Sequence, residues 1–300
     1  MAGDTVTASS VPRERIGLGI SLAALAYALF AVHDASNKWL VRTIPVWQIL
    51  FFRSAVVTIG SLAVGGRRVV VRVLTTPLRL ALAGRAIITL IAWLAYYTAA
   101  GTLPLAQLLT LYFSAPLMTA LLAVPLLGEP VHGARWTSVL LGFCGVLVAA
   151  DPGRMHTSRA TFLVLAAAAT WGYSTILMRR IARLESSLVQ MLAQNVFFLL
   201  ITGAMSAFTW VRPDRRQCAL LLLVGVLGGG GQFLLYEAVR FAPAVIVATV
   251  EYSALIWAFI LGYLVFGDIP HTNVWAGAAL ILASGIYMLW RERRRLFRED

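Results

Sequence analysis

The chain has 300 residues, of which 60% are hydrophobic and 13% charged, and its formal net charge is +12. A soluble domain carries about 25% charged residues, and a chain of this size cannot enclose so much apolar surface in a water-soluble core, so the excess must face lipid. The basic excess does not indicate nucleic acid, because it sits between long apolar runs rather than on one face of a soluble fold.

A hydrocarbon layer about 30 Å thick takes about 20 apolar residues per helical crossing. Cutting the chain at its polar, Gly and Pro punctuation predicts ten helices, over 16–38, 45–64, 80–100, 103–126, 133–150, 160–179, 187–209, 217–239, 244–266 and 272–290. The first follows Arg13 and Arg15 and contains Ala26-Tyr27-Ala28, which resembles a signal cleavage site. Its apolar run is too long for a usual signal, so it is kept as helix one. Connections such as Gly101–Thr102 and Phe241–Pro243 force neighbouring helices to run antiparallel and leave no room for a soluble domain.

Lysine and arginine set the orientation. With both termini cytoplasmic, sixteen of the 25 basic residues fall on the inner side and seven on the outer side, while Arg53 and Arg85 lie within helices. That bias favours both ends inside.

The chain also repeats itself. A shift of 139 residues pairs Tyr97 with Tyr236, Pro104 with Pro243, Ser114-Ala115 with Ser253-Ala254 and Trp136 with Trp275. Nine identities fall in the forty positions 97–136, against roughly three expected from the composition. A shift of 141 sets Lys38 on Arg179 and Arg53 on Gln194. Five helices per half is an odd number, so the second copy enters the membrane from the opposite side. The expected fold is an all-α polytopic membrane protein whose ten transmembrane helices form two inverted five-helix repeats. Such pairs of repeats exchange outward-open and inward-open states around one midplane site, which points to a secondary transporter.

Several motifs carry a family resemblance: Phe30 to Lys38 followed by Phe52-Arg53, Trp171-Gly172-Tyr173 running to Arg179-Arg180, and the closing Leu127-Gly128-Glu129-Pro130 and Phe266-Gly267-Asp268-Ile269-Pro270. Together they resemble the tandem EamA repeats of the drug/metabolite transporter superfamily, one repeat over residues 1–150 and the other over 151–300. Within it the chain looks most like the amino-acid exporters of the YddG type. The resemblance implies ten helices, a central cavity, and export of amino acids from the bacterial cytoplasm across the inner membrane. The first repeat departs from the second in having Phe30 where the second has Trp171.

Charged residues at membrane depth are costly and usually face the bundle interior. Arg53 therefore needs a partner, and the choices are Asp34, Glu251 or a substrate carboxylate; a fixed ion pair locking two helices is the plain alternative. Glu251 has Tyr112 as its repeat counterpart, so symmetry alone does not require its charge. It suits amine recognition or proton binding, or else a hydrogen bond between helices. His33-Asp34 suits a proton relay, although adjacent helical residues point about 100° apart and need not touch. Glu237 beside Arg240 reads as an interfacial pair, while Glu129 and Asp268 complement helix N-termini.

Among aromatics, Trp39, Trp47, Trp210, Trp275 and Trp290 suit headgroup anchoring. Trp93 and Tyr97 share a helix face at i, i+4 spacing, and Tyr112, Trp171, Tyr173 and Tyr252 lie in helices that the family places around its cavity. The expected substrate site is thus Asp34, Arg53, Trp93, Tyr97, Tyr112, Trp171, Tyr173, Glu251 and Tyr252. It suits a zwitterion with a variable side chain, and amino acids fit better than lipids.

Gly228 to Gly231 permit either close helix packing or a bend, and Pro104, Pro116, Pro125 and Pro243 are possible kink points of helices four and nine. Cys144 and Cys218 read as small apolar fillers. No cofactor or metal is expected, since the four histidines and scattered acids do not cluster at ligand spacing. An enzyme would need a His-Glu-x-x-His, Gly-x-Ser-x-Gly or Walker signature, and the chain has none. The alternative functions are a proton-coupled drug or metabolite antiporter and, further off, a membrane-embedded enzyme. The partners expected are a small-molecule substrate and the bilayer, with a monomer as an acceptable assembly.

Overall fold

The computed structural model describes residues 13–103, 108, 111–127, 133–150, 158–267, 269 and 272–296, and among these no strand occurs. The first half contains α1 (Arg13–Leu40), α2 (Val46–Thr75), α3 (Arg79–Ala100), α4 (Ala115–Leu127) and α5 (Gly133–Ala150). The second contains α6 (Arg159–Ala182), α7 (Ser187–Ser206), α8 (Arg215–Phe241), α9 (Ala244–Val250), α10 (Ala254–Phe266) and α11 (Thr272–Leu296). Among the described residues, α1, α2, α3, α6, α7 and α8 are long and apolar enough to cross a membrane, and shorter apolar helices cover Trp136–Val148, Ala244–Ser253 and Thr272–Tyr287.

Local chemistry sets the helix ends. Ser158 and Ser186 accept hydrogen bonds from the backbone N–H three residues on, and Asp214 forms a reciprocal capping box with Gln217; each satisfies donors that a helix start leaves open. Gly267, with φ of +66°, closes α10 in the left-handed conformation that glycine adopts at least cost. Gly66, with φ of +54°, interrupts α2 two residues beyond the predicted end at 64, after which the helix resumes and carries Arg67, Arg68 and Arg72.

The packing of the helices maps onto itself when the first five predicted segments are exchanged with the last five. α1 lies along α8 as α6 lies along α3, while α2 with α7 and α5 with α11 are each their own image. Small residues let these helices approach closely. A Cβ at Gly225 would lie 2.6 Å from Val56, one at Gly229 2.9 Å from Val57, and one at Gly231 2.9 Å from Phe30. The glycine run at 228–231 is therefore a tight interface, and α8 continues through it as one helix.

Trp39, Trp210, Trp275 and Trp290 are exposed on the outer surface, as headgroup anchors require. Cys144 and Cys218 are also exposed, so they do not fill the core as expected. Arg240 does pair with Glu237, at 3.1 Å. Glu129 and Asp268 lie outside the described residues.

One ion pair joins the two halves at the membrane face that holds the chain termini. Glu185, in the α6–α7 loop, accepts from Arg72 Nε at 2.9 Å and Nη2 at 2.7 Å, and from the Thr76 hydroxyl. Burial pushes the Glu185 carboxyl up, but these hydrogen bonds outweigh it and hold the group below its ordinary value. A carboxyl depressed in the folded state contributes stability that is complete above its unfolded pKa of about 4.3 and is lost as pH falls through the lower folded value. Glu185→Gln should accordingly lower the melting temperature of the purified protein at neutral pH. The gap from the unmodified protein should narrow as the pH falls below about 4; a gap independent of pH would mean the ion pair contributes nothing.

Candidate functional site

The ninth predicted helix is broken. After α9 comes a 3-10 turn, Glu251–Ser253, before α10 resumes. A matching turn at Phe113–Ser114 precedes α4, one repeat shift of 139 residues earlier. The break thus falls at Glu251 rather than at Pro243, which caps the start of α9. Discontinuous helices at the midplane commonly form transporter binding sites, because they bring side chains and unpaired backbone groups to one depth.

Both breaks face a cavity of about 80 Å³, lined by residues of α1, α2, α3, α6 and the two broken segments. His33 and Asp34 lie in the last two turns of α1, Arg53 in the third turn of α2 and Tyr97 in the last turn of α3. The cavity is therefore displaced toward the face opposite the termini. Glu251 enters it from below, at the end of the seven-residue α9, roughly 10 Å from where that helix begins.

Arg53 is fully buried. Its Nε donates to His33 Nε2 at 3.3 Å, and its Nη2 donates to the Gly228 carbonyl at 3.2 Å and to Gln232 Oε1 at 3.4 Å. The guanidinium plane lies 3.9 Å above the Trp93 ring, an arrangement that suits a cation on an aromatic face. Gly228 must be glycine for this, since a Cβ there would stand 2.6 Å from Arg53 Nε. Nη1 is buried with no partner, and no carboxylate among the described residues pairs with Arg53. The fixed ion pair considered from the sequence is thus absent, and one donor remains for a ligand.

The acids are held by other groups. His33 Nδ1 lies 3.1 Å from Asp34 Oδ1, so these neighbours do touch. Arg53 can only donate, which makes His33 Nε2 the acceptor and assigns the proton to Nδ1, pointing at Asp34. Asp34 also accepts from Tyr96 at 3.2 Å, and its side chain keeps 18% exposure. Glu251 is buried in the cavity wall with Tyr27, with no Lys or Arg beside it among the described residues. The cavity therefore presents one cation and two acids at separate places between aromatic walls.

Of the nine residues expected at the site, Asp34, Arg53, Trp93, Tyr97, Tyr112, Trp171 and Glu251 line this cavity. Tyr173 does not; it is 37% exposed on the outer face of α6. Two residues beyond Trp171, it points about 200° away around the helix. Tyr252 is buried behind the wall, edge-on to Phe113 with ring centroids 5.7 Å apart. Tyr27, Phe30, His33, Tyr96 and Phe113, with Ala92 and Ala254, complete the wall without having been assigned to it. Tyr27, Phe30 and Asp34 fall at i, i+3 and i+7 on α1, and Tyr96 is i+3 from Trp93, so a stripe was present to be read. Phe113 reaches the cavity only because the helix breaks there.

Known proteins share this architecture. A protein of known crystal structure superposes with a TM-score of 0.72 over 94% of this chain and 99% of its own, at 18% identity. An S-adenosylmethionine uptake transporter of Rickettsia bellii is 22% identical over 284 residues, covering 94% of this chain and 96% of that protein. A riboflavin transporter of Rhizobium johnstonii is 30% identical over 205 residues, 68% of this chain and 67% of its own. A pseudopaline exporter of Pseudomonas aeruginosa is 27% identical over 278 residues, 89% and 94% of the two chains. With its apolar helices, its broken segments and two matches, over residues 17–150 and 158–290, this multi-pass membrane protein belongs to the EamA-like transporter family.

Proposed function

We propose that the chain is a secondary transporter for a small zwitterion with a large planar or apolar side group, aromatic amino acids being the class that fits best. It works by alternating access between two inverted five-helix halves, in ten crossings with both termini cytoplasmic. Net flux follows the substrate gradient, so a bacterium accumulating the substrate exports it across the inner membrane. The observation that carries this reading is Arg53, whose buried Nη1 has no partner while Trp93 holds the guanidinium at the cavity wall. A substrate carboxylate completes its hydrogen bonds, an amine can face Asp34 or Glu251, and the aromatic walls take the side group. The S-adenosylmethionine named for a relative is itself an α-amino acid with a planar base, which is consistent with such a box.

Liposomes containing the purified protein and a panel of labelled L-tryptophan, L-phenylalanine, L-alanine, S-adenosylmethionine and riboflavin test the proposal. Tryptophan and phenylalanine should move saturably, and trans-side substrate should accelerate their flux. Trp171→Ala should reduce both about tenfold more than alanine, the equivalent of about 1.4 kcal/mol of lost contact. Movement of riboflavin without any amino acid would replace this reading.

The burial of Glu251 away from any Lys or Arg among the described residues favours a second reading, a proton-coupled antiporter. The lack of a matching acid at Tyr112 favours flux without obligatory protons. Accumulation against a substrate gradient that requires both an imposed pH gradient and an intact Glu251, and fails in Glu251→Gln, would establish the second reading over the first.

A further inference from the structure

A second guanidinium is buried nearer the face of the termini. Arg85, in the second turn of α3, is 1% exposed against 0% for Arg53, and no carboxylate among the described residues pairs with it. Its Nη2 donates to the Tyr236 hydroxyl at 2.8 Å, its Nε donates to the Ser174 carbonyl at 3.4 Å, and its charge lies 4.7 Å from the centre of the Tyr236 ring. Tyr236 donates to Gln194 Oε1 at 2.6 Å and accepts from Gln232 Nε2 at 2.8 Å. Gln232 Oε1 in turn accepts from Arg53. Two residues, Gln232 and Tyr236, are all that separate the two guanidiniums along this chain of hydrogen bonds.

The repeat gives this network a meaning. The shifts of 141 and 139 residues carry His33 to Ser174, Arg53 to Gln194, Trp93 to Gln232 and Tyr97 to Tyr236. Arg53 and the three residues around it in the cavity therefore have their four counterparts in the sealed network on the side of the termini. One half of the pattern is open and the other closed, as an inverted pair requires of a carrier caught facing one side. The charge is where symmetry fails: Gln194 is neutral, and the cation of the closed half is Arg85, whose own counterpart is Val224. The open and the closed network thus each hold one guanidinium, both from the first repeat, that no carboxylate among the described residues pairs with, although a buried cation left unpaired is costly.

Resting on the proposed zwitterionic substrate, we infer that Arg85 is the anion-binding residue of a second substrate station. This station is closed in the present conformation and receives the substrate carboxylate from Arg53 when the carrier opens toward the termini. Parting of α3 from α6 and α8 frees Arg85 from Ser174 and Tyr236, and the carboxylate takes their place. The substrate charge is then held at both ends of its path.

Membrane vesicles of known sidedness, offered labelled L-tryptophan or its carboxamide at either face, test this. The unmodified protein should prefer the carboxylate from both faces by about tenfold or more, the discrimination expected of a charge-assisted hydrogen bond. Arg85→Gln should lose that preference at the face of the termini and keep it at the other, and Arg53→Gln should do the reverse. An equal fall for both probes in Arg85→Gln, or a fall independent of the face, would show that Arg85 only ties helices together and would overturn the second station. If Arg85→Gln does not accumulate as folded protein, Arg85→Lys decides: a KM raised for the carboxylate at that face alone supports the station, and an unchanged KM at both faces refutes it. Failure of the unmodified protein to move either probe would instead reject the substrate class, and the station with it.

Discussion

Replacing Arg53 by leucine should reduce transport by about a hundredfold or more while leaving the melting temperature of the purified protein unchanged or higher. The two effects separate because the guanidinium is buried without a carboxylate partner. Removing a poorly compensated buried charge in favour of a similar apolar volume is often neutral, or stabilising by about 1–4 kcal/mol. Its loss leaves Gln232 with its hydrogen bond from Asn195, at 3.3 Å, so the network is not wholly orphaned. A substrate carboxylate, by contrast, would enter the cavity with no cation to meet it, a loss of about 3 kcal/mol or more. Arg53→Lys should fall between, since an ammonium keeps the charge but neither the planar fork nor the stack on Trp93. Uptake in liposomes and thermal unfolding in detergent measure the two quantities. A parallel loss of both would mean that Arg53 is a helix clamp.

Gly145→Ala should do the opposite, lowering stability by about 1–3 kcal/mol while transport per folded molecule is retained. A Cβ at this position would stand 2.6 Å from the Gly277 carbonyl oxygen and 3.0 Å from the Ile281 amide nitrogen. These are backbone atoms of α11, which cannot turn aside as a side chain can, so α5 and α11 must separate along their shared face. That strain outweighs the gain of about 1 kcal/mol in helix propensity that alanine brings. Neither helix contributes to the cavity wall, and the chemistry of the site should be untouched. Gly84→Ala is the control, because nothing lies within 4 Å of its added Cβ. Melting temperatures of the three proteins, with uptake normalised to folded protein, check the expectation; equal stability would mean that the α5–α11 contact yields easily.

The positions of the six long apolar helices α1, α2, α3, α6, α7 and α8 followed from the sequence, because lipid demands long apolar runs and every interruption in them is informative. Arg53 was legible for the same reason: a guanidinium at membrane depth must face the interior. The two-half organisation was equally visible, as paired positions such as Tyr97 and Tyr236. What the sequence left undecided is which way each apolar residue points. In water a helix declares its buried face by contrast with a polar one, but in lipid both faces are apolar, and only neighbouring helices distinguish them. Trp171 and Tyr173 look alike as aromatic residues of one helix, yet packing turns the first to the cavity and the second outward. The turn at Glu251–Ser253 had no Gly or Pro within it to announce it, since tertiary contacts there override local propensity. The hold of Arg53 on His33 and the joining of Arg85 to Arg53 through Tyr236 and Gln232 likewise rest on residues distant in sequence. Tertiary structure decided these features because a buried donor must find an acceptor in space, wherever along the chain that acceptor lies.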